Sequence, residues 1–326
     1  MRRREFIFAL GGAAAAWPFA ARAQQPAMLV IGLIIGGSPE SFAPNLAALR
    51  QGLQEAGFIE GRNAAIEARW ARGQFDRMPG FVADLVGRGA AVVVTQTLPG
   101  ALAAKAATER IPVVFVIGED PIEAGLVHTL NRPGANITGL SNFMNLISAK
   151  RLELLSEILP NANAMALLVN PKNPNAEPDT RTLRAAAQAL GRRIEVLKAT
   201  SETDLETAFA AIMEQRLGAL FVNIDSFFAD RADQLVALAA RHHVPASYPL
   251  RYFVAAGGLM SYDANYADTW RRAGIYAGRI LKGDKPANLP VLQPTRFDLA
   301  INLKTARELG LDIPPKVLAL ANEVIE

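Results

Sequence analysis

Short, largely unbroken apolar runs limit most tightly what this chain can become. They are Met28–Ile35, Ala91–Thr95, Ile111–Ile117, Ala164–Val169 and Ala219–Ile224, and each is closed by a polar loop and followed by residues of helical spacing. A strand that is apolar on both faces must be covered on both faces, and strands alternating with helices make βαβ units with a parallel sheet. The run Val113–Ile117 shows the pattern well. It breaks at Gly118 into Glu119 and Asp120, and Pro121 then stands where a helix is expected to begin. In an open α/β sheet, ligands sit in such loops beyond the carboxyl ends of the strands.

The rest of the spacing agrees with this reading. Leu46, Leu49 and Leu53 mark a helix over Asn45–Ala56, Ala64–Trp70 alternates like a strand, and Met78–Val86 and Pro99–Thr108 read as helices. A short helix after Pro121 and a strand at Asn136–Gly139 bring the chain to a polar exit at Ser141-Asn142. The same grammar then restarts. Lys150–Ile158, Arg181–Leu190, Glu202–Gln215 and Phe228–Arg241 are helical, and Arg193–Lys198 and Val244–Ser247 are strands. A strand over Gly257–Tyr262, a helix over Tyr266–Leu281, a strand over Arg296–Ile301 and a helix from Pro315 complete the chain. Two α/β units of similar size make a two-domain protein whose tail crosses between them.

Residues 1–23 are expected to be a cleaved leader rather than part of the fold. Arg2, Arg3 and Arg4 precede the apolar stretch Phe6–Ala16, and Ala21-Arg22-Ala23 is an A-x-A cleavage site. Arg3-Arg4 followed by Phe6-Ile7 also fits a twin-arginine export signal. The leader holds four of the 34 Lys and Arg and one of the 31 Asp and Glu, so the remainder balances at 30 of each. That balance gives no reason to expect nucleic acid or an anionic membrane surface as partner. The chain has no cysteine, which excludes disulfides, thiol catalysis and cysteine-held metal.

Catalytic patterns are not found. Gly139-Leu140-Ser141-Asn142-Phe143 lacks the second glycine of a nucleophile elbow, and the three histidines, His128, His242 and His243, do not converge. Polar loops at the strand ends remain: Ser38 after the first run, Thr95, Gln96 and Thr97 after the second, and Glu119 and Asp120 after the third. The second unit adds Asn170 and Asn173, Asp225, and Tyr262, with Asn142 at the exit between units. Helix N-termini and hydroxyls suit a carboxylate and acidic side chains suit an ammonium, so these residues describe a site for a small zwitterion or polar carboxylate. Asp225 is expected to serve the ligand without serving the fold. Tyr248, Arg251, Tyr252 and Phe253 form an aromatic and basic group after a strand, expected to wall the pocket or stack on a planar ligand, with interdomain packing as the alternative; Tyr248 is the one counted at the site. No cofactor and no metal are expected.

Several segments resemble the ABC transporter substrate-binding proteins of the tryptophan and aromatic amino acid type. They are Arg2–Phe6 with Ala23-Gln24-Gln25, Asp120-Pro121 with Gly125-Leu126-Val127, and Arg132-Pro133-Gly134-Ala135-Asn136-Ile137-Thr138-Gly139. Lys150-Arg151-Leu152-Glu153-Leu154-Leu155, Asn170-Pro171, Ser261-Tyr262-Asp263, Arg271-Arg272-Ala273-Gly274 and Ile301-Asn302-Leu303-Lys304-Thr305-Ala306 extend the likeness over essentially the whole chain. Family members often have Gly where this chain has Ala135, a departure confined to a turn. The resemblance implies the type I periplasmic binding protein fold: two Rossmann-like α/β lobes with parallel-sheet cores, joined by three hinge crossovers. The lobes are expected at 27–141 plus about 263–285, and at 142–262 plus about 292–326. It implies a monomeric, periplasmic solute-binding component of an ABC importer that is not an enzyme. Such a protein grips an amino acid or small carboxylate by hinge closure and delivers it to a permease that works with an ATPase. Two other classes are compatible with the residues alone: an exported hydrolase or isomerase using Glu119 and Asp120, and a ligand-sensing partner of a signalling receptor.

Overall fold

The computed structural model describes residues 28–326, so the expected leader at 1–23 lies outside the described residues. The first lobe is built on β1 (Leu29–Ile35), β2 (Ala64–Trp70), β3 (Val92–Gln96), β4 (Val113–Ile117) and β5 (Ile137–Ser141). They form one sheet in the order β2-β1-β3-β4-β5, every pair parallel. The apolar runs are continuous because both faces are covered. Ile31, Leu33 and Ile35 pack on α1 (Pro39–Glu55), while Ile34, Val93 and Phe115 pack toward α2 (Met78–Gly87) and α3 (Leu98–Ala107).

The second lobe continues the chain with α4 (Met144–Ile158), β6 (Ala164–Val169), α5 (Ala176–Ala189), β7 (Arg193–Lys198), α6 (Glu202–Glu214) and β8 (Leu220–Val222). Then come α7 (Ser226–Ala229), α8 (Ala232–Arg241), β9 (Ala246–Tyr248), α9 (Arg251–Ala255) and β10 (Met260–Ala264). After β10 the chain enters α10 (Tyr266–Leu281), then β11 (Phe297–Asn302), α11 (Leu303–Glu308), α12 (Pro315–Leu318) and β12 (Glu323–Ile325). The second sheet has the order β12-β11-β10-β9-β8-β6-β7, and all pairs are parallel except β10 with β11.

Helix α10 lies against the first lobe. Trp270, Ala273, Tyr276, Ala277 and Ile280 join the core beneath α1. The approach is close because glycines face each other: a Cβ on Gly52 would stand 1.8 Å from the Arg271 carbonyl oxygen, and one on Gly274 would stand 2.2 Å from that of Leu49. The chain passes from one sheet toward the other after Ser141, after Ala264, and between Leu292, which bridges to Leu140 of β5, and Phe297.

Three local expectations are corrected. Helix α1 starts at Pro39, not Asn45, because Ser38 caps it and Pro39 fits its first turn. No helix follows Pro121: Asp120 Oδ1 accepts from the N–H groups of Ile122 and Glu123 at 2.7 and 3.3 Å, closing a turn that Gly125 leaves at φ +68°. The helix at Pro315 does not end the chain, since β12 follows and pairs with β11.

Candidate ligand-binding site

The carboxyl ends of β1, β3 and β4 face the second lobe across a cleft whose empty volume, mouth included, is about 1050 Å³. Gly36 follows β1, and its N–H donates to Gln96 Oε1 at 3.2 Å. A side chain there would meet Ser226 Oγ of the second lobe at 2.8 Å, so glycine lets the walls approach. Thr97 caps α3, its Oγ1 accepting from the Gly100 N–H at 3.4 Å, and it sits at φ +75°. A β-branched residue in that region is strained, and such strain collects at binding sites. Glu119 follows β4. Its Oε2 accepts from the Gly118 N–H at 3.0 Å, and its Oε1 accepts from Asn175 Nδ2 of the opposite lobe. Ser41 Oγ and the Ser38 N–H also cross the gap, both to Asp230 Oδ1, the latter at 3.1 Å. The lobes are therefore hydrogen-bonded together on two sides of the cleft.

From the second lobe come Asn173, Asp225 and Asp179. Asp225 Oδ1 accepts from Asn170 Nδ2 at 3.0 Å and from the Phe227 N–H at 2.8 Å, while Oδ2 accepts from Asn173 Nδ2 at 2.9 Å. Asp225 is thus a cap and a hub of its own lobe as well as a lining residue, which corrects the expectation that it serves only the ligand. Asp179, on α5, accepts from Asn223 Nδ2 at 2.9 Å. Behind it the fully buried Arg151 lies 3.9 Å over the Phe221 ring and donates to the Val222 carbonyl at 2.6 Å. Burial lowers Arg151 to about 9, so it remains charged at neutral pH.

Of the residues expected at the site, Gln96, Thr97, Glu119, Asn173 and Asp225 line the cleft together. The others are placed differently, for stated reasons. Thr95 is fully buried beneath α3, and Ser38 is occupied as the cap of α1. Asp120 closes its own turn, so Glu119 and Asp120 do not form a carboxylate pair. Asn170 is held behind Asp225. Asn142 sits at the first crossover, where its Oδ1 accepts from Thr269 Oγ1 at 3.3 Å. Tyr262 packs against Phe297 with the crossover residues Met144 and Ile147. Tyr248 does not wall the pocket: it is 1% exposed, stacked on Phe253 at 5.1 Å in the second lobe's core. Tyr252, four residues on, stacks on the other neighbour side of that group and reaches the cleft.

Of the aromatic walls, sequence reasoning placed Tyr252 in a wall-forming group and missed Phe42, Phe75 and Tyr266. Phe42 of α1 is held edge-on by Trp270 at 4.7 Å, and Phe75, Tyr252 and Tyr266 complete a ring-lined space with Ile35, Val116 and Leu250. Phe42 and Tyr266 lie on helices that open straight after strand-end loops, which is the one signal pointing to them.

The cleft concentrates acid. Burial raises Glu119 to about 7, with repulsion from Asp179 adding to it, and burial raises Asp263, beside Arg151, to about 7. Asp179 and Asp225 are raised for the same first reason. A carboxyl whose folded pKa exceeds its unfolded value holds more protons in the native state, so its contribution is favourable at low pH. That contribution is lost as pH climbs from about 4 through about 7. The ligand-free chain is therefore expected to lose at least about 1 kcal/mol of unfolding free energy between pH ~5.5 and ~7.5. Urea midpoints measure it, and a stability that rises across that window would overturn the assignment.

Among the described residues, no helix is long and apolar enough to cross a membrane, and no cluster of His, Cys, Asp or Glu has the geometry to hold a metal. A family model described as ABC transporter substrate binding protein matches residues 38–325. A tyrosine-binding protein of Clostridioides difficile strain R20291 is 23% identical over 272 residues, covering 82% of this chain and 78% of that protein. Among solved structures, the ABC domain from Streptococcus pneumonia in complex with L-Trp is 28% identical with a TM-score of 0.80, covering 92% of this chain and 100% of that one. A conserved domain protein from Vibrio cholerae is 28% identical with a TM-score of 0.82, covering 91% and 99%. With two parallel-sheet lobes of the type I periplasmic binding protein fold around one cleft, and a family match spanning nearly all the described residues, this chain belongs to the ABC transporter substrate-binding proteins.

Proposed function

We propose that the chain captures a free aromatic amino acid in the interlobe cleft and presents it, as a monomer exported to the periplasm, to an ABC permease coupled to an ATPase. One observation carries this reading: four aromatic rings, Phe42, Phe75, Tyr252 and Tyr266, surround a cleft that also holds the carboxylates of Glu119, Asp179 and Asp225. Rings give apolar area and stacking to an aromatic side chain, and the acids suit an α-ammonium group. The relatives that bind L-Trp and tyrosine support the same ligand class. Hydrogen bonds across the cleft at Glu119–Asn175 and Ser38–Asp230 are contacts that exist only when the lobes are together, and closure of this kind is what a permease reads.

Calorimetric titration tests the reading. L-tryptophan, L-tyrosine and L-phenylalanine are compared with L-leucine and L-glutamate. At least one aromatic amino acid is expected to bind at least about a hundredfold more tightly than either control. Equal affinity for leucine or glutamate, or no binding of any aromatic amino acid, would sink it.

A further inference from the structure

The charge inside the cleft is one-sided. Its lining includes the three acids Glu119, Asp179 and Asp225 and, among the described residues, no Lys, Arg or His. Arg151 stands behind the lining, stacked on Phe221 and donating to the Val222 carbonyl. It has two carboxylates of its own to balance, Asp263 and Asp179. Buried charge in a native protein is normally paired; Arg151 serves Asp179, and no cation in the lining serves Glu119 or Asp225. Of the lining side-chain amides that a ligand carboxylate would seek, two are already engaged on acids, while Gln96 Nε2 and Asn45 remain. Asn173 Nδ2 donates to Asp225, and Asn175 Nδ2 donates to Glu119. Ser41 Oγ, at the first-lobe wall, is held by Asp230.

We infer that the ligand's cation, rather than its carboxylate, carries recognition at this cleft, so that aromatic primary amines lacking a carboxylate are a second ligand class for it. The inference rests on the proposed aromatic amino acid site and extends it. An ammonium group completes the buried acids with charge-assisted hydrogen bonds and faces the surrounding rings. A carboxylate finds only uncharged donors, among them Gln96 Nε2, Asn45 and the Tyr252 and Tyr266 hydroxyls, set in a field of like charge.

Three matched probes separate the two groups: an amino acid (L-tryptophan or L-tyrosine), the corresponding amine (tryptamine or tyramine), and the corresponding acid without nitrogen (indole-3-propionate or 3-(4-hydroxyphenyl)propionate). Calorimetry on the full-length chain is expected to place the amine within about tenfold of the amino acid and the acid at least about a hundredfold weaker. Asp179→Asn and Glu119→Gln keep the shape of the wall and remove charge. Each is expected to weaken the amine at least about tenfold while leaving the acid unchanged or tighter. An acid that binds as well as the amine overturns the inference, as does an amino acid that binds when its amine does not. Amine binding without amino acid binding upholds it and removes the amino acid reading; no binding by any probe removes both. Circular dichroism melts of each variant separate lost binding from lost fold.

Discussion

Replacing Arg151 with methionine is expected to cost about 3–5 kcal/mol of unfolding free energy, because it strands buried carboxylates without a cation. Arg151 is 1% exposed and reaches from α4 into the second lobe's sheet, where Asp263 and Asp179 face it. Methionine fills much of the same space, so the loss reports charge more than volume. The partner experiment sharpens the attribution: adding Asp263→Asn to Arg151→Met is expected to restore part of the loss, since one of the stranded charges is then gone. Urea unfolding gives both values. A single-variant cost below about 1 kcal/mol, or a double variant worse than the sum of its parts, would show that Arg151 acts only through packing.

Gly52→Ala is expected to be nearly as severe, at about 3 kcal/mol, although alanine is the better helix former by about 1 kcal/mol. The new methyl group would stand 1.8 Å from the Arg271 carbonyl oxygen, and backbone cannot rotate out of the way as a side chain can. Relief requires α10 to lift from α1. That motion also carries Tyr266 away from the cleft, so aromatic ligand affinity is expected to fall with stability. Gly80→Ala in α2 is the control, because nothing lies within 4 Å of its added Cβ. It is expected to be neutral or stabilising by up to about 1 kcal/mol. If Gly52→Ala and Gly80→Ala behave alike, the close approach of the two helices is not what holds α10.

The sheet strands were legible from sequence because a parallel strand must be apolar on both faces, and nothing distant alters that demand. Helix α10 was legible to its ends, since Asn265 caps it and Lys282-Gly283 ends it. What failed was short and decided by tertiary context. β12 has three residues and exists only because β11 offers it an edge. The loop after Pro121 contains apolar residues at helical spacing, yet Leu126 and Val127 are drawn into the first-lobe core instead. At the site, residues immediately after strands were found, because strand direction alone fixes where they point. Asp179, Phe75 and Tyr252 come from elements whose ligand-facing side is set by how the second lobe meets the first, and no local pattern carries that information. Tyr248 and Tyr252 show the limit plainly: both belong to one aromatic group, and only the turn of α9 decides which is core and which is wall.

The return of α10 has a consequence for how the protein is made. Arg271 meets Glu55 across 216 positions of chain, so the apolar face of α1 stays open on the ribosome until the second lobe has been synthesised through β10. At about 5–20 residues per second that interval is roughly ten seconds or more. During it the second lobe can gather most of its strands while the first cannot close. The lobe that begins the chain is thus among the last parts to be finished, and a nascent chain of this design offers a long-lived hydrophobic target to holding chaperones before it is ever competent to bind a solute.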